Sequence, residues 1–289
     1  MSGVLFSRVC IVGVGLIGGS LARAARERGL IGEVVGCSRN AGHLQRAVEL
    51  GVIDRYSTDL AEAVSGADLV VIATPLGAIR RVLEGIAGHL AEGALITDVG
   101  SAKGSVVRDA REVFGGLPPI FVPGHPIAGT ENSGVEASFP ELFRERRVIL
   151  TPVEETDPAA TARVRALWEG VGAEVVEMSV EHHDEVLAAT SHLPHVVAFS
   201  LVDTLARLND RVEIFRYAAG GFRDFTRIAS SDPVMWRDIC LANREALLKI
   251  LDDFRADLDR VRSAIERGDG EWLRDTFAAA KRARDDYSA

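Results

Sequence analysis

Residues 8–29 read Arg-Val-Cys-Ile-Val-Gly-Val-Gly-Leu-Ile-Gly-Gly-Ser-Leu-Ala-Arg-Ala-Ala-Arg-Glu-Arg-Gly, and no other stretch limits the fold so tightly. A short apolar run meets three glycines and continues into an Ala-rich segment of helical character that stops at Gly29. Gly13, Gly15 and Gly18 are spaced G-x-G-x-x-G after a strand and at the opening of a helix, the context in which this pattern binds a dinucleotide. Gly13 permits a tight turn, Gly15 the close approach of a pyrophosphate, and Gly18 the packing of helix on strand. The helix start, with Leu16 and Ile17, then offers free amides and the positive end of the helix dipole to phosphate.

The same alternation recurs downstream. A second strand over 33–40 ends in Cys37, Ser38 and Arg39, where an NAD site usually has a carboxylate for the adenosine ribose. Without that acid there is no repulsion against a 2′-phosphate, and Arg39 with Ser38 can bind one, so NADP is favoured over NAD. Strands over 67–75 and 94–100 flank a segment whose Ile79, Val82, Leu83 and Ile86 have helical spacing. Strand–helix alternation at this interval predicts a parallel sheet with right-handed crossovers and a ligand site at the carboxyl ends of its strands. Thr74, Pro75 and the Asp98–Lys103 turn fall there. Ser101 is a natural N-cap for the next helix, with a hydroxyl that can also face the site. Lys103 reads as a solvated or phosphate-proximal residue. A helix capped by Asp157-Pro158 and a strand over 173–178 complete a nucleotide-binding domain of residues 1–179, with Trp168 in its core.

A lone histidine, His125, lies in the 121–131 loop among Pro123, Gly124, Pro126 and Gly129, residues that favour turns. From residue 180 to 289 no strand pattern recurs, which predicts an all-helical second domain. Pro194 inside an apolar helix over 182–208 predicts a kink beside His192 and His195, which share a face at i, i+3. No Cys or Glu stands at ligand spacing with them, so no metal is expected. Asp224 can pair with Arg227 at i, i+3 and hold its guanidinium for a carboxylate. Asp232-Pro233 starts a helix carrying Trp236, and the apolar stripes of the helices over 234–267 and 270–286 suit a homodimer interface as well as a core.

Composition narrows the partners. The 289 residues carry a formal charge of −9, which argues against nucleic acid and anionic membranes. No apolar run is expected to reach membrane-spanning length, and the first residues lack a signal-peptide pattern, which points to the cytoplasm. Cys10, Cys37 and Cys240 have neither disulfide nor metal spacing.

Taken in order, Gly13-x-Gly15-x-x-Gly18, Asp98-x-Gly-Ser101-x-Lys103, Gly124-His125-Pro126-x-x-Gly129, Ser191-His192-Leu-Pro194-His195 and Gly221-Phe-Arg-Asp224-Phe-Thr-Arg227 resemble the prephenate/arogenate dehydrogenase family of tyrosine biosynthesis over nearly the whole chain. The resemblance implies a Rossmann domain, a helical dimerisation domain and oxidative decarboxylation of a cyclohexadienol, with hydride passing to NAD(P). It implies that His125 draws off the substrate hydroxyl proton and that Ser101 orients His125. It also implies that Arg227, braced by Asp224, binds a substrate carboxylate beside His195, that His192 lies nearer the cofactor, and that Glu131 and Trp236 border the pocket. Two other readings remain open from the residues. One is an NADP-dependent β-hydroxyacid dehydrogenase or imine reductase; the other is a dinucleotide sensor without catalysis.

Overall fold

The computed structural model describes residues 4–130, 132–208 and 216–288. Six strands form a parallel sheet: β1 (Phe6–Val12), β2 (Ile31–Cys37), β3 (Arg55–Ser57), β4 (Leu69–Ile72), β5 (Leu95–Asp98) and β6 (Phe121–Val122). Their order is β3-β2-β1-β4-β5-β6, and every pairing is parallel. The order reverses between β2-β1 and β4, which opens a crevice at the strand ends. Buried on both faces, β4 and β5 have no exposed residue, as a covered parallel sheet requires.

The connecting helices are α1 (Leu16–Glu27), α2 (Ala41–Glu49), α3 (Leu60–Val64), α4 (Leu76–Ile86) and α5 (Lys103–Phe114). The predicted stripe of α4 is confirmed, with Ile79, Val82, Leu83 and Ile86 all buried. Helix α6 (Pro158–Gly170) starts where Asp157 accepts a hydrogen bond from the Ala159 amide. Its Trp168 is fully buried against Phe143, edge to face at 5.1 Å; truncating such a side chain costs about 3–5 kcal/mol.

The sequence did not disclose a second sheet. Strands β7 (Gly124–Pro126), β8 (Arg147–Leu150) and β9 (Glu174–Glu177) form it. Here β7 runs antiparallel to β8, placing His125 opposite Ile149. His125 is therefore a strand residue, not a turn residue as expected. The flanking prolines are tolerated because β7 is a short edge strand, where a missing N–H need not break a ladder.

Helix α7 (Val180–Leu187) runs into a π-helical turn over Ala188–His192 and then into α8 (Leu193–Ala206). The expected break at Pro194 thus becomes a wide turn just before it. The turn puts Pro194 in the first turn of α8, where its absent N–H costs no bond. Within the helical run Val180–Ala206 an 18-residue window has a mean hydropathy of 1.3, and 22% of that window is buried. It does reach the length and apolarity of a membrane-crossing helix, against the sequence expectation. It also carries buried His183 and His192, which belong to the site described below.

After α9 (Gly220–Thr226) and a 3-10 turn over Arg227–Ser230, α10 (Pro233–Ala242) stops at Asn243, splitting the helix expected over 234–267. Helices α11 (Arg244–Arg267) and α12 (Gly270–Ser288) follow. They leave Leu258, Ile265 and Phe277 exposed. By internal contacts the chain falls into two units, Met1–Arg244 and Glu245–Ala289. The strands end near residue 179, yet α7 stays with the strand-bearing unit, because His183 and Asp184 are bonded into it.

Candidate functional site

The glycine fingerprint forms a cradle. Gly13 has φ +100°, and a Cβ there would lie 2.4 Å from the Ala73 carbonyl oxygen. A Cβ on Gly18 would lie 2.4 Å from the Gly13 oxygen and 2.8 Å from Ile11, so both positions require glycine. Gly15 differs: nothing lies within 4 Å of a Cβ built on it, and that open space faces the start of α1, whose amides receive no side-chain cap. A cavity of about 390 Å³ continues from Gly13 and Gly15 past Ser38, Arg39, Thr74 and Pro75. The Thr74 hydroxyl is buried there without a hydrogen-bond partner. An orphaned hydroxyl, free helix amides and an open glycine face together fit a dinucleotide. Leu16 and Ile17 sit half-buried at the same helix start. Sequence reasoning missed His43, Arg81 and Glu136, which line this cavity from other elements.

The residues around β7 are held by buried charge. Lys103, expected in solvent, has no exposed surface and forms an ion pair with equally buried Asp98. Its Nζ also donates to the Gly124 carbonyl at 2.6 Å. Asp98 accepts from the Gly124 amide at 3.2 Å and the Gly100 amide at 2.7 Å. Both polar groups of Gly124 are thus fixed immediately before His125. Burial pushes the Lys103 ammonium below its usual value, and Asp98 opposes this. A buried pair of this kind contributes little net stability but fixes geometry.

His125 is 8% exposed. Its Nδ1 lies 2.9 Å from Nε2 of His183, and the His183 Nδ1 lies 2.8 Å from Asp184 Oδ1. Burial, joined by repulsion from His183, Lys103 and His192, holds His125 well below the usual histidine value. It is therefore neutral near pH 7 and able to accept a proton. The partner of His125 is His183 and not Ser101, contrary to the expectation. Ser101 is not the cap of α5 either. The N-cap is Ala102, which has no side-chain bond, and the Asp184 carboxylate accepts from the first amides of the helix, Lys103 and Gly104, at 2.8 Å each.

On the helical side the two predicted histidines meet at one indole. His195 stacks on Trp236 at 3.5 Å and 19°, and His192 meets it edge-on at 6.1 Å. The Trp236 Nε1 is buried without a partner, a donor left for a ligand. Burial pushes His192 down to about 4, although the nearby Asp184 charge works the other way. Burial also lowers His195; its bond to the Ser191 carbonyl opposes this, and the charge of Arg227 adds to it. The charge of Arg227 thus reaches His195 from an exposed position. No ion pair joins Asp224 to Arg227 among the described residues; Asp224 lies in α9, Arg227 opens the 3-10 turn that follows, and both are exposed. Glu131 lies outside the described residues.

His183, Asp184 and Asn243 are further functional candidates that the sequence alone did not reveal. The run His182-His183-Asp184 was a signal, but helical spacing alone did not show that residue 183 points inward.

Two family profiles match the chain: "Prephenate dehydrogenase, nucleotide-binding domain" over residues 21–177 and "Prephenate dehydrogenase, dimerization domain" over residues 179–279. The chain is 42% identical to cyclohexadienyl dehydrogenase of Zymomonas mobilis over 283 residues, 97% of this chain and 96% of that one. It is 41% identical to prephenate dehydrogenase of Bacillus subtilis over 96% of this chain and 75% of that one. Among solved structures, prephenate dehydrogenase from A. aeolicus in complex with hydroxyphenyl propionate and NAD+ has a TM-score of 0.89 at 42% identity, covering 96% of this chain and 97% of that one. A 3-hydroxyisobutyrate dehydrogenase from Salmonella typhimurium, at 17% identity and a TM-score of 0.57, shares the fold alone.

Proposed function

The chain belongs to the prephenate dehydrogenase family, and from that premise we propose which of its residues perform the family's reaction. The protein is an NAD(P)-dependent oxidoreductase that decarboxylates prephenate or L-arogenate oxidatively, giving 4-hydroxyphenylpyruvate or L-tyrosine. The observation that carries the assignment is neutral, buried His125 at the strand ends, with one ring nitrogen tied to His183.

NAD(P)+, when bound, supplies the hydride acceptor. The protein's own tasks are to orient the substrate, take its proton and exclude water. His125 accepts the hydroxyl proton as carbonyl character develops on the ring carbon. Loss of CO2 and aromatisation drive the step. Arg227 binds a substrate carboxylate, and Asp224 and Glu131 are assigned to substrate binding with it. His195 and Trp236 form its wall, and the unpartnered Trp236 Nε1 donates to the substrate. His192 lies on the nicotinamide side of the pocket. Gly13, Gly15, Leu16, Ile17, Gly18, Thr74 and Pro75 hold the dinucleotide. Ser38 and Arg39 favour NADP, because no carboxylate follows β2 at the ribose position; Glu136, the acid in the cavity lining, lies 3.7 Å from Arg46. Residues 1–179 form the nucleotide-binding half and 180–289 the substrate-binding half, which pairs two copies through the helical domain, a reading supported by the dimerization-domain match over residues 179–279. A cytoplasmic site of action belongs to the same reading.

Four assays test it: nicotinamide reduction with prephenate or arogenate, each with NAD or NADP. Turnover is expected with at least one substrate, at a lower KM for NADP than for NAD. Absence of turnover in all four overturns the function, and a lower KM for NAD overturns the cofactor preference alone. Arg227→Ala is expected to raise the substrate KM about 10- to 100-fold with a smaller change in kcat.

A further inference from the structure

His125 has two ring nitrogens, and only one can serve as the base. Asp184 decides which. Both of its carboxylate oxygens accept backbone amides at the start of α5, Lys103 to Oδ1 and Gly104 to Oδ2. An anion at a helix start is favoured further by the helix dipole. Burial pushes the Asp184 carboxyl upward, but the bonds from His183, Lys103 and Gly104 outweigh it and keep the group below its usual value. Asp184 therefore has no proton to give, and at the 2.8 Å contact His183 Nδ1 must be the donor. Fully buried, His183 is itself held neutral, so its Nε2 carries a lone pair. The 2.9 Å contact between that nitrogen and His125 Nδ1 needs one hydrogen, and only His125 can supply it.

We infer that Asp184, acting through His183, locks His125 as the Nδ1–H tautomer and so directs the bare Nε2 lone pair at the substrate hydroxyl. This rests on the reading of His125 as the base. In the chemical step the substrate O–H bond breaks and an Nε2–H bond forms, leaving a cationic imidazole whose charge Asp184 faces across His183. Two observations agree. His125 keeps 8% of its surface exposed, and its Nε2 has no hydrogen-bond partner among the described residues, while its Nδ1 is engaged by His183. His192, from the same helical run, is set the other way. The Asn243 amide donates to the Asp184 carbonyl at 2.8 Å and contacts His192 Nδ1 at 3.1 Å. That leaves the Nε2 of His192 as its protonated nitrogen. A neutral histidine free of such contacts favours Nε2–H, so the tautomer at His125 is an imposed one. Asp184 and His183 are positioning residues, and they also join the base to the first turn of α5.

The test is 15N NMR of histidine-labelled protein at neutral pH, with the His125 signals assigned by their loss in His125→Asn. The expected result is a protonated Nδ1 and a bare Nε2 on His125. His183→Leu is expected to shift His125 toward Nε2–H and to lower kcat roughly 100-fold, the low end of what a positioned base contributes, with cofactor affinity unchanged. His183→Gln presents an amide oxygen to His125 and an amide NH2 to Asp184, and is expected to keep Nδ1–H and most of the rate. Nε2–H at His125 in the unaltered protein overturns the inference, as does a Leu variant that retains Nδ1–H. If the Leu variant fails to fold, the unaltered protein and the Gln variant still decide. Nδ1–H without turnover of either cyclohexadienol would sink the proposed function and leave the tautomer assignment standing.

Discussion

At the dinucleotide cleft the chain presents mostly backbone: glycines that admit no Cβ, uncapped amides of α1 and a glycine face open to a pyrophosphate. Around His125 it presents side chains, joined in a chain of hydrogen bonds whose members lie 58 residues apart in sequence. Both regions sit at the same ends of the sheet, yet they fail differently. Backbone recognition is steric and tolerates a change in any one side chain, whereas a proton site depends on which atom carries each hydrogen. Substitutions at the two should therefore separate affinity from chemistry.

The largest expected effect is at the base. His125→Asn keeps a donor toward His183 but has no nitrogen lone pair, so kcat should fall about 10²- to 10⁴-fold, with an unchanged dissociation constant for NAD(P)H by fluorescence titration. Retained turnover would remove His125 from the chemistry. At the cleft, Gly13→Ala places a Cβ 2.4 Å from the Ala73 oxygen at φ +100°. The expected result is a stability loss of about 1–3 kcal/mol and a dinucleotide dissociation constant raised about 10-fold, with kcat at saturating cofactor changed only a few-fold. A fall in kcat as deep as that of His125→Asn would show that the two regions are not separable.

The same difference explains what the sequence disclosed. Gly13, Gly15 and Gly18 act within one turn, so their spacing carries their geometry, and the parallel sheet follows from strand–helix alternation around them. His192, His195 and Trp236 were found as separate signals, but their meeting at one indole depends on a π-helical turn that no residue pattern announced. Lys103 was misread because a lysine in a loop is usually solvated, and only the buried Asp98 carboxylate makes its burial tolerable. Ser101 was misread because a serine before a helix is a good cap; here a carboxylate from α7, Asp184, takes that place. His183 could not be found from spacing, since His182 beside it is exposed and the two differ only in which face of α7 meets the sheet.

The last expected effect lies in the pH dependence of stability. An unfolded chain gives His192 an ordinary histidine value near 6.5, and the fold pushes it down to about 4, chiefly by burial. Between those values the unfolded state binds a proton that the folded state does not, so stability rises with pH across the window. The contribution is present in full above pH 6.5 and is lost as pH falls toward 4, on the order of 3 kcal/mol over the whole span. His125 and His183, lowered in the same direction, add to the slope with the same sign. Urea midpoints at pH 7.5, 6 and 5 measure it. His192→Asn should be less stable at pH 7.5 yet show a flatter dependence, because one titrating group is gone. Gly13→Ala should be less stable at every pH with the slope of the unaltered protein, because nothing at the cleft glycines titrates. Equal slopes in both variants would mean that the histidine cluster is hydrated enough to take up its protons while folded, and the contrast between a backbone site and a proton site would lose its energetic basis.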